Sequence, residues 1–154
     1  MKAKIQKAIE NSTNLKHVEK AILEIFKEVK KDNSKIGYVA GIVTSDGEEN
    51  MMRNIKRLDE LTEKLRKKSN FPVFSSVDIF GGGIYDKIED FHLEKPLREK
   101  AFINFWRILL KSGHITDIYM TPRWNKSKGA KDEHKTAKEV EIVIHYVDEE
   151  MNET

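Results

Sequence analysis

The densest chemistry in the chain lies in Thr121-Pro122-Arg123-Trp124-Asn125-Lys126-Ser127-Lys128-Gly129-Ala130-Lys131-Asp132-Glu133-His134-Lys135-Thr136-Ala137. Five basic residues against two acidic ones make the segment locally positive. It follows a strand-like run and opens a helix. Gly129 at that helix start leaves backbone N–H groups uncovered, which suits an anion such as phosphate. Glu133 falls about one turn further on, near where strand ends would present a substrate. A carboxylate beside an anion-binding helix start can act as a nucleophile. The same residues also fit a plainer arrangement, in which Glu133 offsets the helix dipole and the lysines are solvated. His134 stands beside Asp132 and Glu133, but adjacent helical residues point about 100° apart. The three cannot converge on a metal without further ligands, and neither a metal nor a cofactor is expected.

These residues need a scaffold, and the hydrophobic pattern supplies one. Ile36 to Val43 is short, partly β-branched and mostly apolar, as in a strand buried on both faces. Met52, Ile55, Leu58, Leu61 and Leu65 trace a helical stripe. Phe71 to Phe80 reads as a second strand with Pro72 at its start, broken by Gly81-Gly82-Gly83. Residues 84–95 read as a loop or short lid. Pro96 suits the first turn of a helix from Leu97 to about Lys111, apolar around most of its circumference. His114–Thr121 gives a third strand, Gly129–Glu139 a helix and Glu141–Val147 a fourth strand. This alternation predicts an α/β, Rossmann- or flavodoxin-like three-layer fold. Its sheet has four or five mostly parallel strands and takes ligands at the strands' carboxyl ends.

Ahead of that domain, residues 1–35 read as a helical extension broken at Asn11-Ser12-Thr13-Asn14, where short polar side chains cap helix starts. Val18, Ile22, Ile25, Phe26 and Val29 share one face there. The domain itself spans residues 36–147, and the acidic tail from Asp148 to Thr154 is expected to fray.

Composition narrows the classes. The 154 residues carry 28 Lys+Arg against 26 Asp+Glu. A net charge of +2 does not mark a nucleic-acid binder. No apolar run reaches the roughly 18 residues needed to span a bilayer, so no membrane partner is expected. With no cysteine, disulfides, thiolate-held metals and thiol catalysis are excluded, and a cytoplasmic setting is expected. There is no Gly-x4-Gly-Lys phosphate loop, and Gly37, Gly41 and Gly47 lack dinucleotide-fingerprint spacing.

Three segments together resemble the nucleoside 2-deoxyribosyltransferase superfamily, including its deoxynucleotide N-hydrolases. They are the strand end Tyr38-Val39-Ala40-Gly41, Asp117 within Thr116-Asp117-Ile118-Tyr119-Met120, and Ser127 to Ala137 in the pattern Ser-x-Gly-small-x-x-Glu-x-x-x-Ala. Pro122-Arg123-Trp124 also looks like a loop of uncharacterised members. By this resemblance Glu133 matches the nucleophilic glutamate, and Tyr38 and Gly41 match a strand end lining the sugar pocket. Asp117, Trp124, Gly129 and Ala130 complete the expected substrate site. Ser127 occupies a slot that contacts the 5′-phosphate in phosphate-preferring members. The pattern departs in three places. Asn104 to Leu110 lacks the helix Asp that members often carry, Thr44 stands near the hydrolases' early Arg, and little chain follows Val147.

The resemblance implies cleavage or transfer at the N-glycosidic bond of a nucleotide or nucleoside, by an enzyme of at least two identical subunits. The subunit contacts would use the Val18, Ile22, Ile25, Val29 stripe and the helix around Phe102, Phe105 and Trp106. Asp78, Asp86, Asp90 and His92 are loop candidates for protonating the leaving base. The alternative is a binding or scaffold module of the same fold that lacks the chemistry.

Overall fold

The computed structural model describes residues 1–81 and 83–154. Among these residues, six α-helices and four strands follow one another. They are α1 (Lys2–Ile9), α2 (Leu15–Val29), β1 (Gly37–Ala40), α3 (Met51–Lys68), β2 (Val73–Ser75), α4 (Ser76–Phe80), α5 (Lys95–Leu110), β3 (Asp117–Met120), α6 (Lys128–Glu139) and β4 (Val143–Tyr146). The strands form one all-parallel sheet in the order β2-β1-β3-β4. β1 is internal, with Gly37 opposite Asp117 and Ala40 opposite Met120. From β1 the chain runs outward to β2, then returns to the other side of β1. The carboxyl ends of β1 and β3 therefore flank the point where the winding reverses, the crevice where open α/β sheets take ligands.

Alternation along each strand sorts side chains onto two faces. Tyr38, Ala40, Phe74, Ile118 and Met120 join the larger core, together with α1, α2, α5 and α6. Val39, Val73 and Tyr119 join a smaller core under α3, with Leu58, Leu61 and Leu65. The result is a three-layer sandwich. The larger core is rich in aromatics: Tyr38 stacks on Trp106 at 4.8 Å and packs on Phe74 at 5.1 Å, which in turn meets Phe26 at 5.2 Å.

The N-terminal helices belong to that same core. Asn14 caps α2 by accepting from the His17 N–H at 2.8 Å. Ile5, Ile9, Val18, Ile22, Ile25 and Phe26 are buried together with Tyr38 and Trp106. The two stripes assigned above to subunit contacts are thus used inside the chain. Val18, Ile22, Ile25, Phe105 and Trp106 are buried, and Val29 and Phe102 pack against them.

Two further elements differ from expectation. The strand expected over Phe71–Phe80 stops at Ser75, and Ser76–Phe80 turns into α4. The Asp78 carboxylate accepts from the Ser75 N–H at 2.9 Å, closing a helix start that the Ser-x-x-Asp spacing favours. Gly81 N–H bonds to the Val77 carbonyl at 2.8 Å and Gly83 adopts φ 85°; Gly82, the centre of the expected break, lies outside the described residues. The tail is the other difference, since it is tied down. Met151 is buried in the smaller core, Glu153 bridges antiparallel to Val147, and Thr154 N–H bonds to the Tyr146 carbonyl at 3.0 Å. One apolar residue and a set of chain-end hydrogen bonds outweigh the fraying that its charge suggested.

Candidate active site

α6 aims Ala130, Glu133, Thr136 and Ala137 inward, at the spacing of one helical face. Glu133 is only 6% exposed. Its Oε1 accepts from the Tyr38 hydroxyl at 3.0 Å, across 95 residues of chain. Two of the three segments carrying the resemblance therefore meet side chain to side chain. Burial pushes the Glu133 carboxyl up to about 8, against the lowering effect of the Tyr38 hydrogen bond and with a further rise from Asp132. Tyr38 is itself pushed well above the usual phenol range, first by burial and then by Glu133. At neutral pH the resting pair is a carboxylic acid beside a phenol.

The neighbours of Glu133 on α6 go elsewhere. Asp132 takes both arms of Arg107, with Arg107 Nε at 2.9 Å, and His134 Nε2 meets the Tyr146 hydroxyl at 2.7 Å. Three adjacent polar residues thus have three separate partners, as their angular spacing requires.

At the head of α6, Ser127 is the N-cap; its Oγ accepts from the Ala130 N–H at 3.1 Å. The loop after β1 reaches the same helix start, where Ser45 Oγ accepts from the Lys128 N–H at 3.2 Å. Ser127 and Ala130 are buried there, and Gly129 is half-buried. Gly41 sits where β1 and β3 end side by side. A Cβ on it would lie 2.5 Å from Thr121 Oγ1 and 3.1 Å from Leu58 Cδ1. Thr121 in turn donates from its hydroxyl to the Ala40 carbonyl at 2.8 Å. Close strand packing is what demands a glycine at position 41.

No family model, curated protein or solved structure matches the chain.

Asp117 is placed away from Glu133, and Trp124 has a different immediate partner. Asp117 opens β3 level with Gly37, at the amino end of the sheet, and alternation turns it with Tyr119 to the α3 face, opposite Tyr38. It is buried there, with Oδ2 held 2.8 Å from His145 Nε2 and Oδ1 accepting from the Thr116 hydroxyl at 2.7 Å. The other imidazole nitrogen, Nδ1, faces Glu153 of the tail. Both partners are acceptors, so His145 carries both ring protons. Its pKa is raised: burial lowers it, but the hydrogen bonds and charges of Asp117 and Glu153 prevail. Asp117 is therefore half of a structural ion pair that anchors the tail. Trp124 stacks on His134 at 4.3 Å, and His134 points about 100° around α6 from Glu133. Trp124 therefore sits beside the His134 flank of α6, half-buried and packed against the larger core.

Three of the four acid candidates are engaged, and the side chain of Asp86 is exposed. Asp78 is fully buried against Arg66 and the Ser75 N–H. Asp90 accepts from the Leu15 N–H at 2.7 Å, fastening a 3₁₀ turn to the start of α2. His92 Nε2 donates to the Asp86 carbonyl at 2.7 Å. Two grooves, of about 440 Å³ beside Ile115 and Ile142 and about 240 Å³ beside Phe71 and Pro72, open at the amino ends of strands. They lie at the far end of the sheet from Gly41 and Ser127. The neighbour of the Tyr38–Glu133 pair that the sequence assigned elsewhere, to a subunit contact, is Trp106. It stacks on Tyr38, and its buried indole N–H has no hydrogen-bond partner among the described residues. Its only advance signal is that it carries a polar atom in a helix face otherwise made of Phe, Ile and Leu.

Proposed function

We infer that the chain cleaves or transfers at the N-glycosidic bond of a nucleotide or nucleoside, with Glu133 as nucleophile. The observation that carries this reading is the Tyr38–Glu133 hydrogen bond, which joins two distant segments of the resemblance between two buried side chains. Tyr38 orients one carboxyl oxygen; the other has no hydrogen-bond partner among the described residues. In its ionised form that oxygen bonds to the anomeric carbon as the carbon–nitrogen bond breaks, and the base departs with the bonding pair and takes up a proton. Water, or a second base, then displaces the carboxylate from the opposite side, so configuration is retained overall. Only the ionised form attacks, and Glu133 holds its proton up to about 8, so turnover rises with pH toward that value. An assembly of two or more copies belongs to the same proposal and would use exposed α5 side chains such as Leu97 and Ile108.

A second reading is a binding module without chemistry. It is favoured by the protonated resting state of Glu133 and by an α5 whose stretch from Asn104 to Leu110 holds no carboxylate. A thermal-shift panel of nucleotides and nucleosides, followed by chromatography for free base, separates the two. Base release that disappears in Glu133→Gln supports the enzyme; ligand-induced stabilisation with no base released at any pH from 6 to 9 supports the module.

A further inference from the structure

The outward face of α6 carries Lys128, Lys131, Lys135 and Lys138, all exposed and all within one narrow arc of the helix. Arg123 and Lys126 extend it ahead of the helix and are also exposed. None of the six has a carboxylate within ion-pair distance among the described residues. The two acidic side chains nearest this face are already taken, Asp132 by Arg107 and Glu139 by Lys111 at 3.9 Å. Residues 123–138 hold six basic residues against two acidic ones, a surplus larger than the +2 of the whole chain. The ridge therefore carries a local positive field that attracts a polyanion.

One flank of the ridge is aromatic. Trp124 stacks on His134 at 4.3 Å with planes 28° apart, and Tyr146 stands 6.1 Å from Trp124 and is 42% exposed. From Lys128 to Lys138 the ridge runs about 15 Å, longer than one nucleotide and long enough for several successive phosphates. We propose that the α6 ridge and its Trp124–His134–Tyr146 flank form a docking surface for single-stranded nucleic acid. The lysines follow the phosphate backbone and the rings stack with bases. An acidic peptide would use the cations and leave the rings idle. A lipid surface would need a continuous apolar face to insert; near the ridge the exposed aliphatic residues are Val140 and Val143 at its carboxyl end, and the flank along its length is aromatic and polar. The ridge faces away from the buried Glu133, so the proposal stands whether or not that residue is catalytic.

The test uses the full chain and a twelve-nucleotide oligothymidylate, read by quenching of tryptophan fluorescence. Binding is expected, and its logarithmic salt slope should be about −3 for four ridge lysines, an affinity loss of about 60-fold between about 50 and 200 mM salt. The double variant Lys131→Glu, Lys135→Glu should weaken binding at least tenfold. Trp124→Leu should remove the quenching and weaken binding about fivefold or more. Circular dichroism of both variants checks that they fold. No binding at low salt would overturn the proposal. So would affinity unchanged by the charge reversals, or equal or tighter binding of polyglutamate or phosphatidylserine vesicles.

Discussion

Glu133 and Asp117 are both buried carboxyl groups of the same sheet sandwich, and the fold treats them in opposite ways. Asp117, on the α3 face, is matched by a doubly protonated imidazole and a threonine hydroxyl. Glu133, on the other face, has one neutral phenol. A buried carboxylate with a cationic partner is a satisfied structural element, and removing the partner is what costs stability. A buried carboxyl with a single neutral donor instead keeps its proton, and the energy that would be needed to ionise it appears as a raised pKa. The first arrangement fastens the tail. The second stores a reactive group, and perturbed titration of that kind is what functional sites are built from.

The largest expected effect tests the stored group. The Glu133 carboxyl releases its proton near 8 when folded and near 4.5 when unfolded, so between those values the folded state binds more protons. Rising pH therefore favours unfolding: the penalty is absent below about 4.5 and complete above about 8. Glu133→Gln removes it, and should stabilise the protein at pH 8 by on the order of 3–5 kcal/mol while changing little at pH 4. Urea denaturation at the two pH values measures this. Equal effects at both would mean that Glu133 is ionised and satisfied, and the contrast with Asp117 would collapse.

The opposite sign is expected on the other face. His145→Ala leaves Asp117 buried without its cation and should destabilise by about 3 kcal/mol at neutral pH. Because the folded imidazole pKa is raised, its contribution is complete below about 6.5 and fades as pH rises through the folded value. The gap between wild type and variant should thus narrow at alkaline pH, where the neutral imidazole keeps one N–H for Asp117. A gap as wide there as at neutral pH would assign the loss to packing against Tyr119, whose ring lies 4.4 Å from that of His145.

How much of this contrast was legible beforehand follows from which physical signals are local. The strand–loop–helix setting of Ser127–Ala137 placed Glu133 about one turn into α6, near the strand ends, and the apolar runs around Tyr38 and Ile118 placed two strands. Local pattern carries that much. Whether Asp117 shares a face with Tyr38 depends on the register between β1 and β3, and register is a long-range property that alternation alone does not specify. The α4 helix had a local signature in Ser75 and Asp78, masked by the β-branched and aromatic residues around it. Burial of Met151 and the partnering of α2 with α5 are tertiary outcomes, visible in sequence only as apolar side chains without an address. The functional reading inherits this division, since its Glu133 half rests on local pattern and its Asp117 half rested on an unknown register.

A smaller effect separates packing from ligand approach at the switch point between the two faces. Gly41→Ala would bring a methyl group to 2.5 Å from Thr121 Oγ1, so β1 and β3 must part or Thr121 must turn away from Ala40. A loss of about 1–3 kcal/mol is expected from overpacking. Gly41→Ala combined with Thr121→Ser, which deletes the threonine methyl and frees the hydroxyl to rotate, should recover part of it. No recovery would indicate that the clash with Leu58 governs.

The smallest effect is at Ser127, where structure and chemistry make separable demands on one hydroxyl. Its oxygen accepts from the Ala130 N–H, so its own proton remains free to be donated. A cap needs only the lone pair; a phosphate needs only the proton. Ser127→Ala should therefore cost about 1 kcal/mol of stability through the lost cap. If a 5′-phosphate also docks here, monophosphate affinity should fall roughly ten- to a hundredfold while affinity for the matching nucleoside barely changes, as befits a charge-assisted bond. Ser127→Asp keeps the cap, since a carboxylate accepts from Ala130 at least as well, but it repels phosphate. In that variant stability should hold while the preference turns toward the nucleoside. Parallel titrations of both ligands against both variants decide the matter, because a cap alone predicts equal, small changes for the two ligands in Ser127→Ala and none in Ser127→Asp.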